Sequence, residues 1–92
     1  MTYETEIING YKAVVRHIFK GEEIKIGQRW IGIGSYIVTI EDVKIYPPKH
    51  ENDKPFYDIY YSWYENGVKK SNDKDWFSFQ CRYCLIVDED TP

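Results

Sequence analysis

Twelve isoleucines and six valines stand in this 92-residue chain against one leucine, one alanine and one methionine. β-Branched side chains lose rotamer freedom against the preceding turn of a helix, yet pack well on a pleated surface. A chain this poor in the best helix formers, and carrying nine tyrosines besides, is built for sheet. Its length sets the scale at one domain, large enough to bury a modest core without disulfides or metal.

The net charge of −3 is unevenly spread. Residues 1–50 carry seven basic and six acidic groups, a balance of +1, and residues 51–92 carry five basic and nine acidic groups, a balance of −4. A nonspecific nucleic-acid binder needs a basic excess to neutralise phosphates, and the chain as a whole has none. Met1 to Glu6 is polar and acidic, without the apolar stretch of a signal peptide. No apolar run approaches the roughly 18 residues that span a bilayer, so no membrane partner is expected. Two cysteines without an export signal predict free thiols in a reducing cytoplasm.

Along the chain, Thr2 to Ile8 alternates and then meets Asn9-Gly10. Asn-Gly between apolar-rich runs predicts a type I′ hairpin, because that turn needs positive φ at both central positions. Tyr11 to Phe19 fits both a helical and a two-residue period, and Val14, Val15, Ile18 and Phe19 tip it toward strand. Gly21 to Glu23 and Ile33-Gly34-Ser35 read as turns. Tyr36 to Tyr46 is the longest strand candidate. Val38 and Ile40 share one parity and Val43 and Ile45 the other, so a β-bulge at Glu41-Asp42 brings all four to one face.

Pro47-Pro48 stops that strand, since proline cannot donate to a ladder, and a polar loop runs from Lys49 to Pro55. Phe56 to Tyr64 is the next strand, turned back to Val68 by Glu65-Asn66-Gly67. Ser71 to Asp75 is polar and rich in N-cap residues, Trp76 to Arg82 predicts one or two helical turns, and Tyr83 to Val87 a last short strand. Residues 1–87 are expected to form one domain, with residues 1–21 as a hairpin extension and 88–92 as a flexible acidic tail.

Few residues offer chemistry. Cys81-Arg82-Tyr83-Cys84 is half of a zinc motif. The remaining ligands have to come from His17 and His50, both at unorthodox distances, so zinc is the lesser reading and two small apolar side chains the preferred one. His17, between Val15 and Phe19, reads as a partly buried scaffold residue, and His50 as a solvated loop residue. No serine, threonine or cysteine has an arguable base partner, and the acidic pairs sit at turns and the tail. The expectation is a non-enzymatic protein without cofactor or metal.

The strand Phe56 to Tyr64 carries the strongest functional signal. Tyr57, Ile59, Tyr61 and Trp63 form a continuously apolar face that belongs to the core. The opposite face sets Phe56, Tyr60 and Tyr64 in line, broken by Asp58 and Ser62. Exposed aromatic patches mark interfaces, so Phe56, Asp58, Tyr60 and Tyr64, with Trp76, form the candidate partner-binding set unless the N-terminal hairpin covers them. The alternative is a nucleic-acid surface in which Tyr60, Tyr64 and Trp76 stack on bases and Lys69, Lys70 and Lys74 meet phosphates; Glu65, Asp73 and Asp75 dilute it. A cation reader built beside Asp58 is a third reading.

Gly27-Gln28-Arg29-Trp30, Tyr36-x-Val38-Thr39-Ile40, Tyr60-Tyr61-x-Trp63-Tyr64-Glu65-Asn66-Gly67, Phe77 or Phe79, and Arg82-Tyr83 together form an ordered pattern. Over residues 25–87 it resembles the small SH3-like barrel proteins of tailed phages and bacteria. The resemblance implies an antiparallel barrel of five to seven strands with a short helical turn near Trp76–Arg82; the N-terminal hairpin read from residues 2–20 lies outside the pattern, as an added element or part of a different barrel. It also implies a binding module, such as a phage-encoded modulator or inhibitor that docks on a host protein in the host cytoplasm. Its motifs are core and turn positions, which specify fold more than activity.

Overall fold

The computed structural model describes residues 3–32, 34 and 36–87. Their elements are β1 (Thr5–Ile8), β2 (Tyr11–Val14), a 3-10 turn (Gly21–Glu23), β3 (Arg29–Gly32), β4 (Ile37–Tyr46), β5 (Phe56–Glu65), β6 (Val68–Asp75), α1 (Trp76–Arg82) and β7 (Tyr83–Leu85). The protein is mainly β, with every ladder antiparallel. The expected tail 88–92, and Ile33 and Ser35 of the expected turn, lie outside the described residues.

Both Asn-Gly pairs make two-residue turns, with φ of 49° and 87° at Asn9 and Gly10 and of 52° and 79° at Asn66 and Gly67. Their positive φ matches the twist of the flanking strands, so Ile8 faces Tyr11 and Glu65 faces Val68. The β4–β5 register shifts between Ile40 and Asp42, where the bulge is expected. Val38 and Ile40 are buried and Val43 half-buried, while Ile45 stays 60% exposed. A ten-residue strand runs about 30 Å at ~3.3 Å per residue, and its last turn of side chains outreaches a core this small.

The sheet order is β6-β5-β4-β3-β7, with β1–β2 as a separate two-stranded sheet. Ala13 bridges Ile86, Ile86 N–H donates to the Arg29 carbonyl (3.0 Å) and Val87 N–H to that of Lys12 (2.8 Å). The hairpin therefore joins the β7 end of the order. The expected closed barrel is not formed, because β6 pairs with β5 alone. The sequence of β6, Val-Lys-Lys-Ser-Asn-Asp-Lys-Asp, explains this: charge on both faces of a strand protects a free edge and offers no apolar side to close over a core. Pairing with β5 makes the polar stretch Ser71–Asp75 strand, and only Asp75 caps the helix, accepting from Ser78 N–H (3.1 Å).

The strand expected over Tyr11–Phe19 ends at Val14, where Arg16 takes a φ of 54°. Its guanidinium holds Glu4 and Glu6, the latter at 2.7 Å. The ladder breaks there, and His17 is exposed rather than partly buried, its ring packed between Tyr3 (4.7 Å) and Phe19 (4.5 Å).

Aromatic rings interlock among the buried isoleucines and valines of the core. Phe79 of α1 is fully buried and meets Trp30 (5.1 Å), Tyr61 (5.1 Å) and Tyr83 (4.8 Å), while Trp30 reaches Phe19 (5.8 Å). Burying each such ring contributes about 1.5–3 kcal/mol. Burial, with the neighbouring Tyr83 hydroxyl, pushes the Tyr61 phenol up to about 12. Gln80, also buried, reaches back from the helix to the chain near Phe19.

Candidate interaction surfaces

Alternation along β5 places Phe56, Asp58, Tyr60, Ser62 and Tyr64 on one face, as expected. Tyr64 (70%) and Phe56 (48%) are exposed at its two ends, but Tyr60 is half-buried and Asp58 and Ser62 are buried. The middle of the face is covered by its own polar side chains. Lys44, opposite Asp58, sits 4.9 Å from the Tyr60 ring centroid, so the place imagined for a foreign cation is taken by the chain's own lysine. Burial pushes the Asp58 carboxyl above its ordinary range, with Asp73 adding to the effect, and the nearby Asp58 carboxylate, with burial, pushes the Tyr60 hydroxyl up in turn.

Ser62 Oγ donates to Glu41 (2.8 Å), and Lys69 Nζ approaches the same carboxylate (3.3 Å). These contacts hold Glu41 below its usual range. A carboxylate so stabilised is a weak base, and Ser62 is only 4% exposed; the pair ties β4 to β5 and β6. Of the three lysines in the nucleic-acid reading, Lys69 is bound to Glu41 and Lys70 to Glu65 (3.0 Å). Lys74 stands between Asp73 and Asp75 on the same edge strand.

The five residues of the candidate partner-binding set are not brought together. Phe56 and Tyr64 are eight positions apart, about 26 Å along a strand. Trp76 lies on the other side of the sheet, half-buried against the core and lining a hollow with Tyr57 and Pro55. Cys81 is exposed on the last helical turn and Cys84 half-buried on β7, so the two are not a packed apolar pair. Burial raises the Cys84 thiol, with Glu6 contributing. Among the described residues no three His, Cys, Asp or Glu side chains gather as metal ligands. His50 is exposed in its loop. No helix among them is long and apolar enough to cross a membrane.

The sequence reading missed a more continuous apolar surface on the inner side of the sheet, where β4 and β5 overrun the core. Ile24, Ile26, Val43, Ile45 and Tyr57 line a groove of about 410 Å³. It continues past Gly21 and Tyr57 into the hollow of about 310 Å³ under Pro55 and Trp76. Ile26 is 66% exposed. On the reverse of the same ribbon end, Tyr46 and Phe56 meet across the ladder as a tilted pair at 5.9 Å and are exposed, next to Pro47 and Pro48. The ribbon end is thus apolar on both faces. The available signal was the length of Tyr36–Tyr46, which a small core cannot cover to its end.

Comparison with protein-family models, with curated proteins and with solved structures found no match.

Proposed function

We propose that this chain is a non-enzymatic protein-binding module with an SH3-like fold. It would dock a protein partner on the apolar end of the β4–β5 ribbon. The fold reading is supported by the strand order, a four-strand meander β3 to β6 followed by a short helix and a return of β7 to β3. The observation that carries the function is that Ile26 (66% exposed) and Ile45 (60%) line one apolar groove with Val43 and Tyr57 at the end of the sheet. Scattered apolar residues need no explanation, but a contiguous patch marks an interaction site. The reading as a modulator of a host protein rests on the resemblance given above and on the small size of the domain.

The test is affinity capture from a bacterial lysate with three forms of the full chain: native, Ile26→Ser with Ile45→Ser, and Tyr60→Ala with Tyr64→Ala. The native and tyrosine forms should recover the same partner and the isoleucine form should lose it. Equal recovery by all three contradicts the site, and loss only in the tyrosine form returns it to the outer face of β5.

A further inference from the structure

We infer that the groove takes an extended peptide segment in which apolar residues alternate with acidic ones. The inference rests on the docking reading above and adds the chemistry of the partner. The apolar floor is bordered by Lys20, Lys25 and Lys54 and by one carboxylate, that of Glu22. All four are exposed, and among the described residues none of them forms an ion pair. Elsewhere Lys69, Lys70 and Arg16 are matched to carboxylates, while among the described residues cations such as Lys12, Lys49 and Arg82 are not. What sets the groove apart is that three unpaired lysines border one apolar floor. The second acid nearby, Glu23, has its carboxylate turned back to accept from Lys20 N–H at 2.7 Å.

The chain carries a net charge of −3, yet this groove is bordered by a surplus of unpaired cations. An apolar floor selects side chains by area. A cationic rim selects their flanking charges and speeds encounter. An extended segment sends alternate side chains to opposite sides, so it can set apolar residues on Tyr57, Ile26 and Ile45 while presenting carboxylates to the lysines. A basic segment would meet like charges, and a neutral one would leave the rim unused.

The experiment pans a displayed library of random peptides about twelve residues long, which reach up to ~40 Å when extended, on the immobilised full chain. Enriched peptides are then titrated by fluorescence polarisation against three forms: native, Ile26→Ser with Ile45→Ser, and Lys20→Glu with Lys25→Glu and Lys54→Glu. A Lys→Gln set at the same positions serves if the reversed form does not fold. Enriched peptides are expected to alternate apolar and acidic residues, and charge reversal should weaken them at least about ten-fold at low salt, with the difference shrinking as salt is raised. Peptides that need Ile26 and Ile45 but are neutral or basic, or that bind the reversed form equally well, overturn the acidic partner and leave the docking surface standing. No enrichment, or enriched peptides indifferent to both sets of substitutions, overturns both.

Discussion

Gly21 and Tyr57 approach so closely that a Cβ built on the glycine falls 2.3 Å from the ring's Cδ1 and 2.4 Å from Cγ. Cγ lies on the Cβ–Cγ axis, so no rotation about that bond relieves its contact. The contact joins the 3-10 turn to β5 and forms the saddle between the groove and the hollow under Trp76. Gly21→Ala is expected to cost about 1–3 kcal/mol, the range for overpacking. In a Tyr57→Ala background the same change should cost little or stabilise slightly, since alanine restricts the unfolded chain. Urea denaturation of the four forms measures the coupling, and additive effects would contradict the contact.

The Gln80 amide closes a ring of hydrogen bonds on the backbone of Phe19, accepting from its N–H (2.6 Å) and donating to its carbonyl (2.9 Å). It ties the irregular segment after β2 to the helix. Gln80→Ala leaves both buried groups unpaired, at about 1–3 kcal/mol for each group. Gln80→Glu keeps the acceptor and loses the donor, so its stability should rise as pH falls and the acid regains a proton. Chemical denaturation across acidic pH checks the direction.

Asp58 supplies the clearest pH dependence. Burial raises its folded-state pKa above the unfolded value, and Lys44, Tyr60 and Asp73 also act on it; Asp75 faces it across the ladder. For an acid shifted upward, stability is greatest below the unfolded pKa and is lost as pH rises through the folded one. Asp58→Asn should therefore be more stable than the native protein at neutral pH, by about 1 kcal/mol, the net size of one hydrogen bond. The two curves should converge in acid. Asp75 runs the other way: its bond from Ser78 lowers its pKa, so the cap's contribution is present above the unfolded value and lost as pH falls through the folded one. Parallel melts over the acidic range distinguish the two.

The lysines of β6 guard an open edge. Replacing Lys69, Lys70 and Lys74 by Thr should change monomer stability by only about 0.5 kcal/mol, since exposed ion pairs contribute little. It should promote association through β6, because an uncharged, β-prone edge invites a partner strand. Sedimentation velocity reads this directly. The same account predicts no retardation of single- or double-stranded DNA or RNA at low salt, where a basic nucleic-acid surface binds most strongly.

Local chemistry made much of the fold legible. The two Asn-Gly turns, the parity switch at Glu41-Asp42, the stop at Pro47 and the helix behind Asp75 each follow from a few adjacent residues. The features that escaped are set by distant partners. β6 has no apolar alternation and is strand only because β5 pairs with it over eight positions. The end of β2 depends on Arg16 finding Glu4 and Glu6 across the hairpin. Alternation placed the residues of β5 on the right faces but could not show that Lys44, Glu41 and Asp73 cover the middle of the outer one. Nor could it show that the inner face, the expected core, emerges into solvent at Ile45.

The account turns on which side of the β4–β5 ribbon meets a partner. Backbone and indole amide chemical shifts, followed as a selected peptide or the captured partner is added to the labelled full chain, answer this most directly. We predict perturbations at Gly21, Ile24, Ile26, Val43, Ile45, Tyr57 and the Trp76 indole, with Tyr64, Lys69 and Lys70 unmoved. Perturbations gathered on Tyr60, Tyr64 and β6, with the groove silent, would contradict it.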